Sequence, residues 1–189
     1  MQIFKKVTGK FGRYFLIIFG AALVAAAGFF LWQKYGWERG VDFSCVKIEE
    51  HNIAGASMDP LLVDGQRVKG LVGYYDCNPI ERDQIAVLAF QTREELFVKR
   101  IAGIGGDKLE FTDGEGQLKI NGEIAKNSSG EPYLFSEASQ RIITIPLKDG
   151  RIQEGRYLIL SEEKGPNSFD SRQFGFAEKE HLKGRVIFK

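Results

Sequence analysis

Apolar residues follow two different patterns along this chain. Residues 14–32 read YFLIIFGAALVAAAGFFLW, an apolar run without a charge. As an α-helix rising about 1.5 Å per residue, it approaches the ~30 Å hydrocarbon core of a bilayer. It has no polar face, which argues against a helix half-buried in a soluble domain. Beyond it, short apolar stretches alternate with turn residues. Strands are predicted at 46–50, 66–75, 84–90, 95–102, 141–145, 156–160 and 186–188, from their Ile, Val, Leu, Phe and Tyr content. The segments 108–111 and 117–121 flank Asp113-Gly114-Glu115-Gly116 and predict a hairpin. Segment 126–137 is polar and less regular. No long amphipathic helix is predicted after residue 32.

Many short strands separated by turns predict a mostly β fold, an antiparallel sheet system closed as a partly open barrel or a sandwich. The 22 glycines, many at turns, agree with this. Residues 108–153 read as an inserted hairpin and loop, too short to hold a core of their own.

Charge sets the orientation of the first segment. Lys5, Lys6, Lys10 and Arg13 precede the apolar run. The positive-inside rule then leaves a cytoplasmic tail at 1–13, a transmembrane helix at 14–32 and a domain at 33–189 across the membrane. Tyr14 and Trp32 suit the two interfaces. Ala25-Ala26-Ala27 offers the small residues of a secretory cleavage site, but the run continues through Gly28 to Trp32, longer than the usual apolar core of a signal peptide. A net charge of +1 gives no electrostatic case for nucleic acid.

Cys45 and Cys77 are the two cysteines, both in the segment predicted to reach an oxidising compartment. They either pair, closing a loop of about 30 residues worth roughly 3 kcal/mol in the chain-entropy model, or remain unrelated thiols. Two cysteines and two histidines at scattered spacing make no recognisable zinc site. No metal or cofactor is implied.

Three blocks carry chemistry: Gly55-Ala56-Ser57-Met58-Asp59-Pro60-Leu61-Leu62, then Phe97-Val98-Lys99-Arg100-Ile101-Ala102-Gly103-Ile104-Gly105-Gly106-Asp107, then Asn167-Ser168-Phe169-Asp170-Ser171-Arg172-Gln173-Phe174-Gly175. In this order behind an anchor they resemble the type I signal peptidases. The resemblance implies a membrane-anchored serine endopeptidase that removes signal peptides from exported precursors. It makes Ser57 the nucleophile and Lys99 the general base, with Ser168, Asp170, Arg172 and Asp107 in support. A cleft is expected from Ile53, Gly55, Met58 and Pro60. The implied partners are membrane lipid and signal-peptide-bearing precursors. The implied location is the bacterial inner membrane, with the N-terminus cytoplasmic and the catalytic domain outside it.

The residues themselves support a lysine base. A serine hydroxyl is a poor nucleophile until a neighbour takes its proton. His51 and His181 sit in no recognisable histidine motif and read as surface or turn residues. Lysine serves as a base only when neutral, which burial favours. Strand alternation sets Phe97, Lys99 and Ile101 on one face and Val98, Arg100 and Ala102 on the other. Taken alone, Lys99 favours an edge-strand charge; the Lys99-Arg100 pair with Gly103 and Gly106-Asp107 after it favours the base.

The chain departs from the family pattern at several points. Gly105 stands where the family's lysine box has a proline, which predicts a looser turn. Glu162-Glu163-Lys164 replaces a Gly-Asp-Asn start. Gly55 replaces a serine that donates to the oxyanion in some members, leaving the Ser57 N–H to that role. The changed boxes also resemble conjugation-associated peptidases that process pilin precursors. Two other functions compete. A self-cleaving repressor-type protease would need a DNA-binding helix pair, which is not seen. A catalytically silent anchored β-domain would not need both dyad residues.

Overall fold

The computed structural model describes residues 19–20, 23–25, 40–91, 93, 95–163 and 169–188. The predicted tail 1–13 and most of the apolar run 14–32 lie outside these. Within that run Phe19, Gly20, Leu23, Val24 and Ala25 are described, and they are helical. No helix among the described residues is long and apolar enough to cross a membrane. The chain divides into the units Met1–Val41 and Asp42–Lys189, and both β-sheets belong to the second.

Among the described residues, ten strands make two antiparallel sheets. The larger contains β1 (Lys47–Asn52), β2 (Arg67–Val72), β3 (Ile85–Ala89), β4 (Leu96–Gly103), β8 (Arg156–Leu160), β9 (Ala177–Glu178) and β10 (Leu182–Ile187), in the order β1-β2-β10-β3-β4-β8-β9. The smaller is β5 (Leu109–Phe111), β6 (Leu118–Ile120) and β7 (Glu123–Ile124). The fold is thus mostly β and antiparallel. The expected hairpin is β5–β6, with Leu109 opposite Ile120.

Two apolar clusters hold the unit together. One packs Leu109, Leu118, Ile120, Phe135 and Ile143 against Leu158 and Leu160 of β8. The segment 108–153 therefore shares its core with the large sheet. The other cluster gathers Ile53, Met58, Leu62, Val68, Ile85, Val87 and Val186, with Val98 packed on it. It lies directly beneath the Ser57 turn.

Short helices interrupt the strands: α1 (Tyr74–Cys77), α2 (Glu137–Thr144) and α3 (Ser171–Phe174). Helix α2 overturns the strand expected at 141–145. Its β-branched Ile142, Ile143 and Thr144 suggested extended structure. The Ser136 side chain, however, accepts the Ser139 N–H and starts a helix, with Glu137 in its first turn. Ile143 alone of the helix is buried, so one apolar anchor outweighs local β propensity. The predicted strand at 66–75 ends earlier for a similar reason: Gly73 turns the chain into α1.

Cys45 and Cys77 form a disulfide, which settles the alternative left open by sequence. It joins the segment before β1 to the end of α1. Asn78 reinforces the junction, donating to the Asp42 carbonyl at 2.8 Å and accepting the Asp42 N–H through Oδ1 at 2.8 Å.

Candidate active site

Ser57 opens a tight turn between β1 and β2. The turn is held by Asp59 N–H to the Ala56 carbonyl at 3.0 Å and Leu62 N–H to the Met58 carbonyl at 2.8 Å. Met58 and Leu62 are buried at 1% and 0% exposure, so the turn is anchored from below while Ser57 stays half-buried. The Ser57 carbonyl accepts the N–H groups of Glu162 at 3.0 Å and Glu163 at 3.3 Å.

Lys99 comes from the middle of β4, where Ala86 of β3 lies opposite it. Its exposure is 4%, and its Nζ lies 2.5 Å from Ser57 Oγ. Burial lowers the Lys99 ammonium from its ordinary 10.5 to about 8. The carboxylates of Asp170 and Glu163 pull the other way, and Arg172 adds to the depression. Desolvation wins, so an appreciable fraction of Lys99 is neutral near pH 8. Its surroundings are those of a buried base, not those of an edge-strand lysine.

The predicted supporting residues fall into two groups. Asp170 and Arg172 belong to the loop network behind the dyad. The fully buried Asp170 carboxylate caps α3, accepting the Arg172 N–H at 3.0 Å. It also accepts Arg172 Nη2 at 2.6 Å and the Ser161 N–H at 3.0 Å. Arg172 Nη2 in turn donates to the Glu163 carbonyl at 2.9 Å. The pair therefore fixes the loop whose N–H groups hold Ser57. Ser168 lies outside the described residues.

Asp107 belongs elsewhere. It closes the turn after β4 by accepting the Ile104 N–H at 2.9 Å and Asn121 Nδ2 at 2.9 Å. The looser turn expected from Gly105 is not found. A Cβ on Gly105 would lie 2.9 Å from Glu154 Cα, so the turn packs closely on a neighbouring backbone and has no room for a side chain.

A cavity of about 180 Å³ opens beside the dyad. Of the predicted cleft residues, Ile53 and Met58 line it with Ser57 and Lys99, whereas Gly55 and Pro60 do not. Both of these are exposed. Gly55 is held by its N–H to Asp64 Oδ1 at 2.8 Å.

Two features were not legible in the sequence. Glu162, read there only as a departure from a motif, is fully buried and holds Arg100, its carboxylate 2.7 Å from Arg100 Nη2. It also accepts the Ser128 N–H at 2.6 Å. A charge partner for Arg100 was the available signal. His51, read as a surface or turn residue, lies in β1 and lines the cavity. His181 stacks on Phe90 with ring centroids 4.9 Å apart and accepts the Glu178 N–H at Nδ1. That is a structural role.

A serine hydroxyl facing a buried, partly neutral lysine beside a cleft is the equipment of a Ser-Lys hydrolase. Comparison with known proteins gives the family. A model of the family "Signal peptidase, peptidase S26" matches residues 11–189. Signal peptidase IB of Staphylococcus aureus (strain COL) is 28% identical over 155 residues, covering 75% of this chain and 77% of that protein. Signal peptidase I of Bacillus licheniformis is 28% identical over 146 residues, covering 74% and 75%. A solved signal peptidase I from Enterococcus faecalis V583 aligns at 21% identity with a TM-score of 0.37, covering 58% of this chain and 98% of that one. The chain belongs to the signal peptidase family, peptidase S26, and with it to the serine endopeptidases.

Proposed function

We propose that the protein is a membrane-anchored signal peptidase in which Ser57 is the nucleophile and Lys99 the general base. The observation that carries this reading is the 2.5 Å approach of Lys99 Nζ to Ser57 Oγ on a lysine with 4% exposure. Neutral Lys99 takes the hydroxyl proton as Oγ attacks the scissile carbonyl carbon. The tetrahedral oxyanion is held by the Ser57 N–H. The Lys99 ammonium then protonates the departing amine, leaving an acyl group on Ser57. Water, deprotonated by Lys99, hydrolyses this ester and frees the enzyme. Asp170, Arg172 and Glu162 keep the Ser57 turn in register with β4.

In this reading residues 14–32 anchor the chain in the bacterial inner membrane. The basic tail stays in the cytoplasm and the catalytic unit faces the other side. Substrates are precursors bearing signal peptides, bound extended beside β1 and β4 through main-chain hydrogen bonds. The test is a panel of secretory and pilin precursors incubated with the full-length protein and with Ser57→Ala and Lys99→Ala. Wild type should cleave one precursor class while each variant, still folded, falls at least about 10³-fold. Near-normal cleavage by either variant would reject the dyad.

A further inference from the structure

Side chains two residues apart on a strand share a face, so Lys47, Glu49 and His51 project together from β1. Lys47 Nζ is 2.7 Å from Glu49, and His51 Nε2 is 3.6 Å from the other oxygen of Glu49. The latter is longer than a hydrogen bond. The row ends in the catalytic cavity, where His51 stands among Ile53, Val68, Val98 and Val186. Its ring rests on β2 at Gly70: a Cβ there would lie 3.1 Å from His51 Cδ2 and 3.4 Å from Nε2. Bare backbone gives the imidazole its place.

We propose that His51 is a specificity-determining residue that selects a hydroxyl side chain, serine or threonine, at one of the three positions before the cut. The inference rests on the peptidase reading above. Beyond the dyad, His51 and Asn52 are the polar members of an otherwise apolar lining. A neutral imidazole presents one donor and one acceptor. A hydroxyl does both, so it complements either tautomer. An alanine methyl in the same place would strip water from the ring and return nothing.

The test uses full-length enzyme and peptides that differ only by alanine or serine at each of the three positions preceding the cut. The readout is the ratio of kcat/KM for serine over alanine. At one position this ratio should be about tenfold higher in wild type than in His51→Leu, the size of one net hydrogen bond. His51→Gln, which keeps a donor and an acceptor, should retain most of the preference. Gly70→Ala, which displaces the ring without changing it, should lower the preference and carries the test if His51→Leu does not fold. Equal ratios in wild type, His51→Leu and Gly70→Ala at all three positions would overturn the proposal while leaving the peptidase reading intact. Failure of wild type to cleave any peptide would remove both.

Discussion

Glu162 and Ser57 are joined backbone to backbone, the Glu162 N–H donating to the Ser57 carbonyl at 3.0 Å. The same residue grips Arg100 through its carboxylate. Arg100 follows Lys99 on β4, so one glutamate ties the nucleophile's turn to the base's strand. Its side chain is fully buried and that of Arg100 is 13% exposed. Removing one partner of a buried pair costs about 3–5 kcal/mol, and the charged partner Arg100 would keep is the exposed Asp83, 3.2 Å from its Nη1. Glu162→Ala should therefore lower stability by about 3 kcal/mol in equilibrium urea unfolding. A loss below about 1 kcal/mol, the worth of a surface pair, would show that Arg100 finds compensation elsewhere.

In the proposed mechanism Lys99 sets the pH dependence. With its ammonium lowered to about 8, the neutral fraction grows about tenfold per pH unit below that value and levels off above it. The kcat/KM for a precursor peptide should follow the same curve. An activity limb placed near 6.5 would instead implicate a histidine. His181→Ala should leave the curve unchanged.

The same shift has a stability consequence with a definite sign. The folded-state value of about 8 lies below the ordinary 10.5. Below pH 8 the ammonium is charged in both states, and its burial penalty of about 3 kcal/mol is fully present. Between about 8 and 10.5 the unfolded chain binds the extra proton, so stability rises with pH and the penalty fades. Lys99→Met, of similar shape and without charge, should be more stable than wild type at pH 7 by up to about 3 kcal/mol. The difference should vanish above pH 10.5. Equal stability at pH 7 would mean that the lysine is better solvated than its burial indicates.

The contact between Ser57 and Lys99 was legible because each sits in a local signature: a serine before Met-x-Pro, and a lysine in an apolar strand. The β architecture was legible because Ile85 to Ala89 and Leu96 to Gly103 are rich in β-formers bounded by turns. Residues acting across the fold were harder to see. Glu162 owes its burial to Arg100, far away in the chain, and nothing around Glu162-Glu163-Lys164 announces that partner. Helix α2 depends on a serine cap and one buried isoleucine, which a β-branched run conceals. His51 enters the cavity because β1 pairs with β2 at Val68, and a register is not a property of either strand alone.

The Cys45–Cys77 bond links chain segments 32 residues apart. Closing such a loop removes unfolded-state freedom worth about 3–4 kcal/mol. A Cys45→Ser, Cys77→Ser variant should unfold at lower urea by that amount, and wild type under reducing conditions should match it. The bond also reports the compartment. If the unit after residue 32 is exported, the thiols of freshly harvested cells should resist alkylation until reductant is added. Immediate alkylation, with the unit protected from protease in intact spheroplasts, would refute the proposed orientation.

The cleft is expected to couple substrate shape to base chemistry. Ile53, Met58, Val87 and Val98 line the cavity that also holds Lys99. Apolar packing there lowers the lysine by excluding water, and the same packing is expected to favour small side chains beside the cut. Cleavage is expected after A-x-A-like sequences, with serine favoured over alanine at the position that His51 faces. Replacing the residue before the cut with phenylalanine should reduce kcat/KM at least about 10²-fold, because the ring must either stay outside or part the walls and admit water to Lys99. The mirror experiment enlarges the site: Ile53→Ala should relax the size limit and, by wetting the base, raise the pH at which activity levels off. Equal processing of alanine and phenylalanine substrates by wild type would reject the small pocket. Relaxed selectivity in Ile53→Ala with an unmoved pH profile would separate the pocket from the base and reject their coupling.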